Sequence, residues 1–295
     1  MRVSENMVIE SFLKNLHSAQ GRLFERNQEV ASGKKLNRPS DAPSDSSRLV
    51  RLRDDVSRIN QYYRNINHAD LVLGTTEDAL NNLSNLVTKV QERAGYGVNG
   101  TMTQQDRDAV ATEIRSLQEE IIRIASIKVN GKYAFSGSEV LTEPLVLNAG
   151  SYDYQGDDRA LMVEISPGEK IQVNVTGDES FSEPGTDLIN TLTTLIQQLE
   201  SGDPDAARQS MAEIQKAQET ISLTRVRVGT NRQRLDGAKQ RLDQEFLQLT
   251  STVSEMEDAD MAEAISGLVQ AETGLRATLS VGARISQLNL FDILG

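Results

Sequence analysis

The chain has 295 residues and carries 31 basic against 43 acidic side chains, a net charge of −12; that sign argues against nucleic acid and anionic membrane surfaces, since both select basic stripes. Cysteine is absent, which excludes disulfides, thiolate zinc sites and a cysteine nucleophile. Two histidines, His17 and His68, are too few for a multi-histidine metal site, and six Phe, six Tyr and no Trp are sparse for a compact enzyme core.

The length fits one elongated unit or two to three small domains. The opening stretch, MRVSENMVIESFLKNLHSAQ, lacks an apolar h-region and a small-residue cleavage site, so no secretory signal is expected. No window reaches the apolar length of a membrane span, and a soluble chain is expected.

Ile9, Leu16, Leu23 and Val30 recur every seven residues with Phe12 and Ala19 between them, the a/d stripe of a first helix. Residues 31–47, ASGKKLNRPSDAPSDSS, interrupt it with Pro39, Pro43 and turn formers. A second ladder, Leu52, Ile59, Ile66, Leu73, Leu80 and Val87, predicts a long helix. After a Gly-rich turn, Val110, Ile114, Leu117, Ile121 and Ile124 share one face of a shorter helix, with Thr103 and Asp106 as its capping box.

Residues 141–185 differ in kind. They hold three of the six prolines, nine acidic against two basic residues, and alternating stretches (Leu161 to Ile165, Lys170 to Val175) separated by turn signals. This predicts a small β insertion, and its charge predicts an outward-facing knob.

Asp203 and Pro204 read as N-cap and first residue of a helix carrying Ile214, Ile221, Val228, Leu235, Leu242, Leu249 and Met256 in strict seven-residue steps. Its length would be about 80 Å at ~1.5 Å per residue. The phase slips at Glu255–Asp260, and Met261, Leu268 and Leu275 begin a new stripe with Ala264, Ala271 and Ile285 beside it. Breaks at similar distances from both ends suggest that residues 1–30 pair with 261–295. The final stretch, Ser286 to Gly295 with Leu288, Leu290 and Leu294, is more apolar than a free tail should be, which favours burial between subunits over packing on its own domain.

No motif points to catalysis. Gly95, Gly97 and Gly100 match G-x-G-x-x-G, but a helix precedes them where a dinucleotide site needs a strand, so the stretch reads as an inter-helix turn. Glu119/Glu120 and Asp157/Asp158 are carboxylate pairs in polar surroundings, without the desolvated cleft a general acid needs. Acidic residues such as Glu10, Glu25 and Glu272 on the terminal helices argue against interfacial membrane binding.

The long terminal helices, the missing cysteine and the central β insertion resemble the flagellin superfamily. Three motifs carry the resemblance: Ala31 to Pro43, whose Arg38-Pro-Ser-Asp-Ala-Pro43 form is similar to the hook–filament junction branch; Asn130-Gly-Lys-Tyr-Ala-Phe-Ser-Gly137; and Glu257-Asp-Ala-Asp-Met-Ala-Glu-Ala264. Thr88–Ala94 lacks the arginine pair that flagellins carry there. The resemblance implies a mainly α fold: a long antiparallel helical bundle or coiled-coil rod from both ends of the chain, plus a small β-rich insertion. It divides into terminal helices of an inner core (1–44 and 257–295), a helical rod domain (45–140 and 186–256) and the insertion (141–185).

The resemblance also implies a structural adaptor of the flagellum with no enzyme activity and no cofactor, exported without a cleaved signal. Its partners would be hook-associated protein 1, flagellin, an export chaperone and further copies of itself in a ring. Assembly contacts are expected at Ile9, Leu16, Leu23, Leu268, Leu275, Leu279, Ile285, Leu288, Leu290 and Leu294, and chaperone contacts at Leu268, Leu275 and Leu279. Flagellin itself and an intracellular coiled-coil scaffold are the alternative readings.

Overall fold

The computed structural model describes residues 5–40, 42–177, 182–183 and 186–294. Among them, α1 (Glu5–Ser32), α2 (Pro43–Gly97) and α3 (Gln104–Ala125) come first. Eight short strands follow: β1 (Lys128–Val129), β2 (Lys132–Tyr133), β3 (Leu145–Asn148), β4 (Ser151–Tyr154), β5 (Met162–Ser166), β6 (Glu169–Gln172), β7 (Ser182–Glu183) and β8 (Thr186–Asp187). Then come α4 (Leu188–Ser201), α5 (Pro204–Glu257) and α6 (Met261–Leu294). The fold is mainly α, as the periodicity predicts, and 73% helical. By contact density the chain falls into two compact units, Met1–Arg58 with Glu245–Gly295, and Ile59–Gln244.

In the unit Ile59–Gln244, α2 and α5 run antiparallel. Tyr63 donates to Asp243 at 2.6 Å, Arg232 bonds Asp70 and Glu77 at 3.0 and 2.8 Å, and Gln218 donates to Ser84 at 2.7 Å, so partner numbers fall on one helix as they rise on the other. Between them the two ladders meet: Ile59, Ile66, Leu73, Leu80 and Val87 are buried, as are Ile214, Ile221, Val228, Leu235 and Leu242. Each such side chain contributes about 1.5–3 kcal/mol on leaving water.

Helix α3 starts on the expected capping box, with the Thr103 hydroxyl accepting from the Asp106 amide and the Asp106 carboxylate accepting from the Thr103 amide. The Thr103 hydroxyl, which donates to the Asp106 carboxylate at 2.6 Å, and then the Thr103 amide hold that carboxyl below the usual carboxylate range. Val110, Ile114 and Ile121 are buried and α3 packs against α4. Gln118 donates to the Ile189 carbonyl at 3.0 Å, and Gln104 donates to the carbonyls of Leu199 and Glu200 in the last turn of α4. Asp203 caps α5 as its sequence suggests, accepting from Ala206 N at 3.0 Å.

Among the described residues the strands form four separate antiparallel pairs, β1–β2, β3–β4, β5–β6 and β7–β8. β structure begins at Lys128, ahead of the alternating stretches read from Leu141 onward. The Asn130-Gly131 turn of β1–β2 has φ of 52° and 78°, the geometry that residue pair prefers. Gly168, at φ 74° after Pro167, closes β5–β6, with proline and glycine where a type II turn wants them. Tyr154 ties the entry and exit of the insertion together: its hydroxyl donates to the Phe135 carbonyl at 2.8 Å and accepts from Gly177 N at 2.9 Å.

The β5–β6 hairpin lies against α2 and α5. The Asn65 amide donates to the Glu164 carbonyl at 2.7 Å, Asn231 donates to the Gln172 carbonyl at 3.1 Å, and Glu169 pairs with Arg241 at 2.9 Å and Arg234 at 3.6 Å. Ile165 and Ile171 are buried. One acid of the segment expected to be repelled outward, Glu169, is therefore engaged with α5, because that helix presents two arginines at its level, whereas Glu164 meets α2 through its backbone carbonyl.

Candidate assembly surface and its joint

In the unit formed by the two ends of the chain, α1 packs against α6, as the two breaks in periodicity predict. The seam is antiparallel: Leu23 and Leu275 line one groove, and Phe12 lies beside Gly282. Leu16, Leu23, Leu268 and Leu275 are half-buried, whereas Ile9 and Leu279 are exposed, Leu279 by 50%. The side chains of Ile285, Leu288, Leu290 and Leu294 lie outside the described residues.

A second, exposed stripe shares Ile9 and Met261 with the ladder that the periodicity marks on each terminal helix. Ile9, Leu13 and Phe24 on α1, and Met261, Ile265, Val269 and Leu279 on α6, are exposed by 41–59%. On an α-helix these positions sit roughly 60–140° round from the buried Ala19 and Ala264, at ~100° per residue. In an antiparallel pair, offsets of the same sign on both helices fall on the same side, so the two stripes share one flank of the pair. On the opposite flank Met7, Val8, Phe12 and Val281 line a groove together with Ser11, Asn15, Ser18 and Arg22 of α1. The pair thus exposes apolar side chains on both flanks, and the polar groups of the second flank come mostly from α1. Among the described residues of α1 and α6, only Ala19 and Ala264 are fully buried.

The joint at the base of this pair is built differently. Gly33, at φ 69°, ends α1, and its carbonyl accepts from Ala259 N at 2.9 Å while Lys35 N donates to the Glu257 carbonyl at 2.8 Å. The Glu257 side chain is only 5% exposed; it pairs with Lys34 and accepts from Arg53 at 2.6 Å. Burial works to raise its carboxyl pKa, but the hydrogen bonds and charges of Lys34 and Arg53 outweigh it and hold the group below its ordinary value. Lys35 Nζ donates to the Glu255 carbonyl, and Asp260 caps α6, accepting from Ala262 N at 2.8 Å. The run Glu255–Asp260 reads in sequence as an acidic break, and nothing local marks the burial of one of its acids, because its two cations come from elsewhere in the chain.

Gly95 and Gly97 lie within α2 and Gly100 follows it, so the glycine-rich stretch is the turn between α2 and α3. His17 is exposed and bonds the Leu13 carbonyl; His68 is exposed on α2. Glu119 and Glu120 face solvent. Asp157 accepts from the Ser138 hydroxyl and backbone amide, bonds that lower its pKa and fix a loop. Among the described residues no group of three or more His, Asp or Glu is placed to hold a metal ion, and no helix is long and apolar enough to cross a membrane.

The family model of the bacterial flagellin N-terminal helical region matches residues 3–140, and that of the C-terminal helical region matches 189–294. The chain belongs to the flagellin superfamily. Within it, flagellar hook-associated protein 3 of Escherichia coli (strain K12) is 23% identical over 317 residues, covering 99% of this chain and 99% of the relative. Flagellin of Salmonella muenchen is 30% identical over 190 residues, covering 59% of this chain but 36% of the relative. The crystal structure of Xanthomonas campestris FlgL (space group C2) shares the fold, with a TM-score of 0.64 and 17% identity over 68% of this chain and 99% of that one.

Proposed function

We propose that this chain is the adaptor that joins the flagellar hook to the flagellin filament. It is a structural component of the bacterial flagellum and interacts with hook and filament components. The observation that carries the reading is end-to-end similarity to a hook-associated protein 3, set against the partial match to a flagellin. Its partners are hook-associated protein 1 on the hook side, flagellin on the filament side and further copies of itself in a ring. An export chaperone covers Leu268, Leu275 and Leu279 before assembly, and the chain leaves the cell without a cleaved signal.

In this reading residues 1–44 and 257–295 form the inner core of the ring, 45–140 with 186–256 the surrounding helical domain, and 141–185 the insertion. Leu16, Leu23, Leu268 and Leu275 set the α1–α6 seam, and the exposed Ile9 and Leu279, with Ile285, Leu288, Leu290 and Leu294, meet neighbouring subunits. Burying an exposed stripe of this size supplies about 25 cal/mol per Å², against the entropy of ordering the helices.

Antibody–gold electron microscopy of flagella from the native cells tests the proposal. A single narrow band where hook meets filament is expected. Label along the whole filament would make the chain a flagellin, and its absence from flagella would favour an intracellular scaffold.

A further inference from the structure

The glycine-rich turn between α2 and α3 lies away from the α1–α6 pair, yet it holds a reactive dipeptide. The sequence contains two Asn-Gly pairs, Asn99-Gly100 and Asn130-Gly131. An asparagine followed by glycine can lose ammonia when the next backbone nitrogen attacks its side-chain carboxamide, since glycine has no side chain to hinder the ring that forms. Folded structure decides which pair reacts, and here the two differ.

Asn130 and Gly131 are the turn residues of β1–β2, with φ of 52° and 78°, and the Val129–Lys132 strand pair stands directly beside them. Ring closure there requires rotation about the Asn130 Cα–C bond, which takes the turn out of the conformation its hairpin needs. Asn99 and Gly100 are both exposed and belong to no strand. Asn99 Oδ1 accepts from the Thr101 amide at 3.3 Å and from the Thr101 hydroxyl at 3.2 Å, an Asx-turn that folds the carboxamide back along the Gly100 peptide. Among the described residues neither Gly100 N nor Asn99 Nδ2 makes a hydrogen bond. The attacking and leaving nitrogens are therefore free, while the oxygen that gains negative charge already has two donors aimed at it, as a tetrahedral intermediate requires. Ring closure must break one bond of the Asn99 carbonyl, from Met102 N at 3.1 Å, where at Asn130 it must open a hairpin.

We propose that Asn99 is a self-modification site of the folded protein, deamidating through a succinimide, and that the hairpin holds Asn130 back. Gly100 N bonds to Asn99 Cγ and gives up its proton; the Cγ–Nδ2 bond breaks, and the departing nitrogen takes that proton and leaves as ammonia. Water then adds to either carbonyl of the ring and opens it to aspartate or isoaspartate. Two guanidiniums stand at this turn, Arg107 Nε donating to the Gly97 carbonyl at 3.3 Å and Arg208 Nη2 to the Val98 carbonyl at 3.2 Å. Their charge favours both the developing oxyanion and the carboxylate product. The isoaspartate form adds one backbone carbon between α2 and α3. The reaction needs only water, so it stands apart from the adaptor reading.

Incubation of the purified full-length protein at neutral pH, with the peptides carrying Asn99 and Asn130 followed by mass spectrometry, tests it. Aspartate and isoaspartate are expected at 99 at least about tenfold faster than at 130, a barrier difference of ~1.4 kcal/mol. In urea the two rates should converge, which assigns the difference to the fold. A Cβ at Gly100 would meet nothing within 4 Å, so Gly100→Ala should keep the melting temperature and slow conversion at 99 by about tenfold or more. Thr101→Val removes the hydroxyl donor, keeps the amide, and should slow it about three- to tenfold. Equal rates at the two sites in the folded protein, a difference that persists in urea, or a Thr101→Val protein that reacts like wild type would overturn the proposal.

Discussion

The ring of Phe12 rests on the backbone of Gly282, so closely that a Cβ at 282 would stand 2.2 Å from the ring's Cζ. Helix propensity alone would make Gly282→Ala stabilising by about 1 kcal/mol. The packing reverses the sign, because the ring has to leave the seam. Gly282→Ala is expected to slow incorporation into flagella about tenfold or more, without changing the melting temperature of the Ile59–Gln244 unit; incorporation equal to wild type would show that the contact does not matter.

Leu275 and Leu279 separate the seam from the stripe beside it. Leu275→Asp places a charge in the half-buried seam and should loosen the pairing of α1 with α6 itself. Leu279 is half exposed, so Leu279→Asp should leave the free chain's hydrogen-exchange pattern intact and still block assembly. Normal assembly of the Leu279 variant, followed by electron microscopy, would remove that residue from the contact surface.

The pH dependence of the joint follows from the direction of the Glu257 shift. A carboxyl whose folded pKa lies below its unfolded value, ordinarily about 4.3, contributes stability that is present above that value and lost as the pH falls through the folded one. Protection at Lys35 and Ala259, corrected for intrinsic exchange, should therefore hold from neutral pH down to about 5 and then decline. In Glu257→Gln that acid limb should be missing; an unchanged limb would assign it to another carboxylate.

Ala149 and Gly150 turn the β3–β4 hairpin with φ of 50° and 93°, the same handed turn that Asn130-Gly131 makes between β1 and β2. Alanine is poorly suited to that conformation, whereas asparagine tolerates it. Ala149→Asn should raise stability by about 0.5–1 kcal/mol, visible as a small increase in melting temperature. A decrease would mean that the turn changes shape when its residue does.

Gly97 shows where helix packing allows no side chain: a Cβ there would meet Leu199 Cδ2 at 2.8 Å and Val110 Cγ1 at 3.2 Å. Gly97→Ala should cost about 1–3 kcal/mol by overpacking. Thermal unfolding followed by circular dichroism measures it, and a loss below that range would indicate that Leu199 can turn aside.

The helices were legible because their signals are local or periodic. The ladders through Ile66 and Val228, the capping box at Thr103 and Asp106, and the pairing of Asp203 with Pro204 can each be read within a few turns of chain. Strands were legible only where alternation persisted, as from Leu161 to Ile165; β1 and β2, two residues each, show none, and only the Asn130-Gly131 dipeptide gave a cue. Glu257 could not be singled out, because nothing within its own sequence neighbourhood distinguishes it from Glu255 or Asp258. Its burial depends on Arg53, some two hundred positions away, and such a relationship has no periodic trace. The second apolar stripe was missed for another reason: a seven-residue pattern draws attention to Leu16 and Leu23, while Leu13 and Phe24 fit no single repeat.

Among the described residues the four strand pairs share no sheet, and β1–β2, β3–β4 and β5–β6 each close on a two-residue turn of their own. One of them can therefore be lengthened, shortened or replaced at its tip without shifting the register of any other strand. The β3–β4 tip at Ala149 and Gly150, exposed and with nothing packed against Gly150, is the natural place for a graft. A short epitope or fluorophore-binding sequence inserted there would follow the protein through export and assembly while every helix keeps its neighbours.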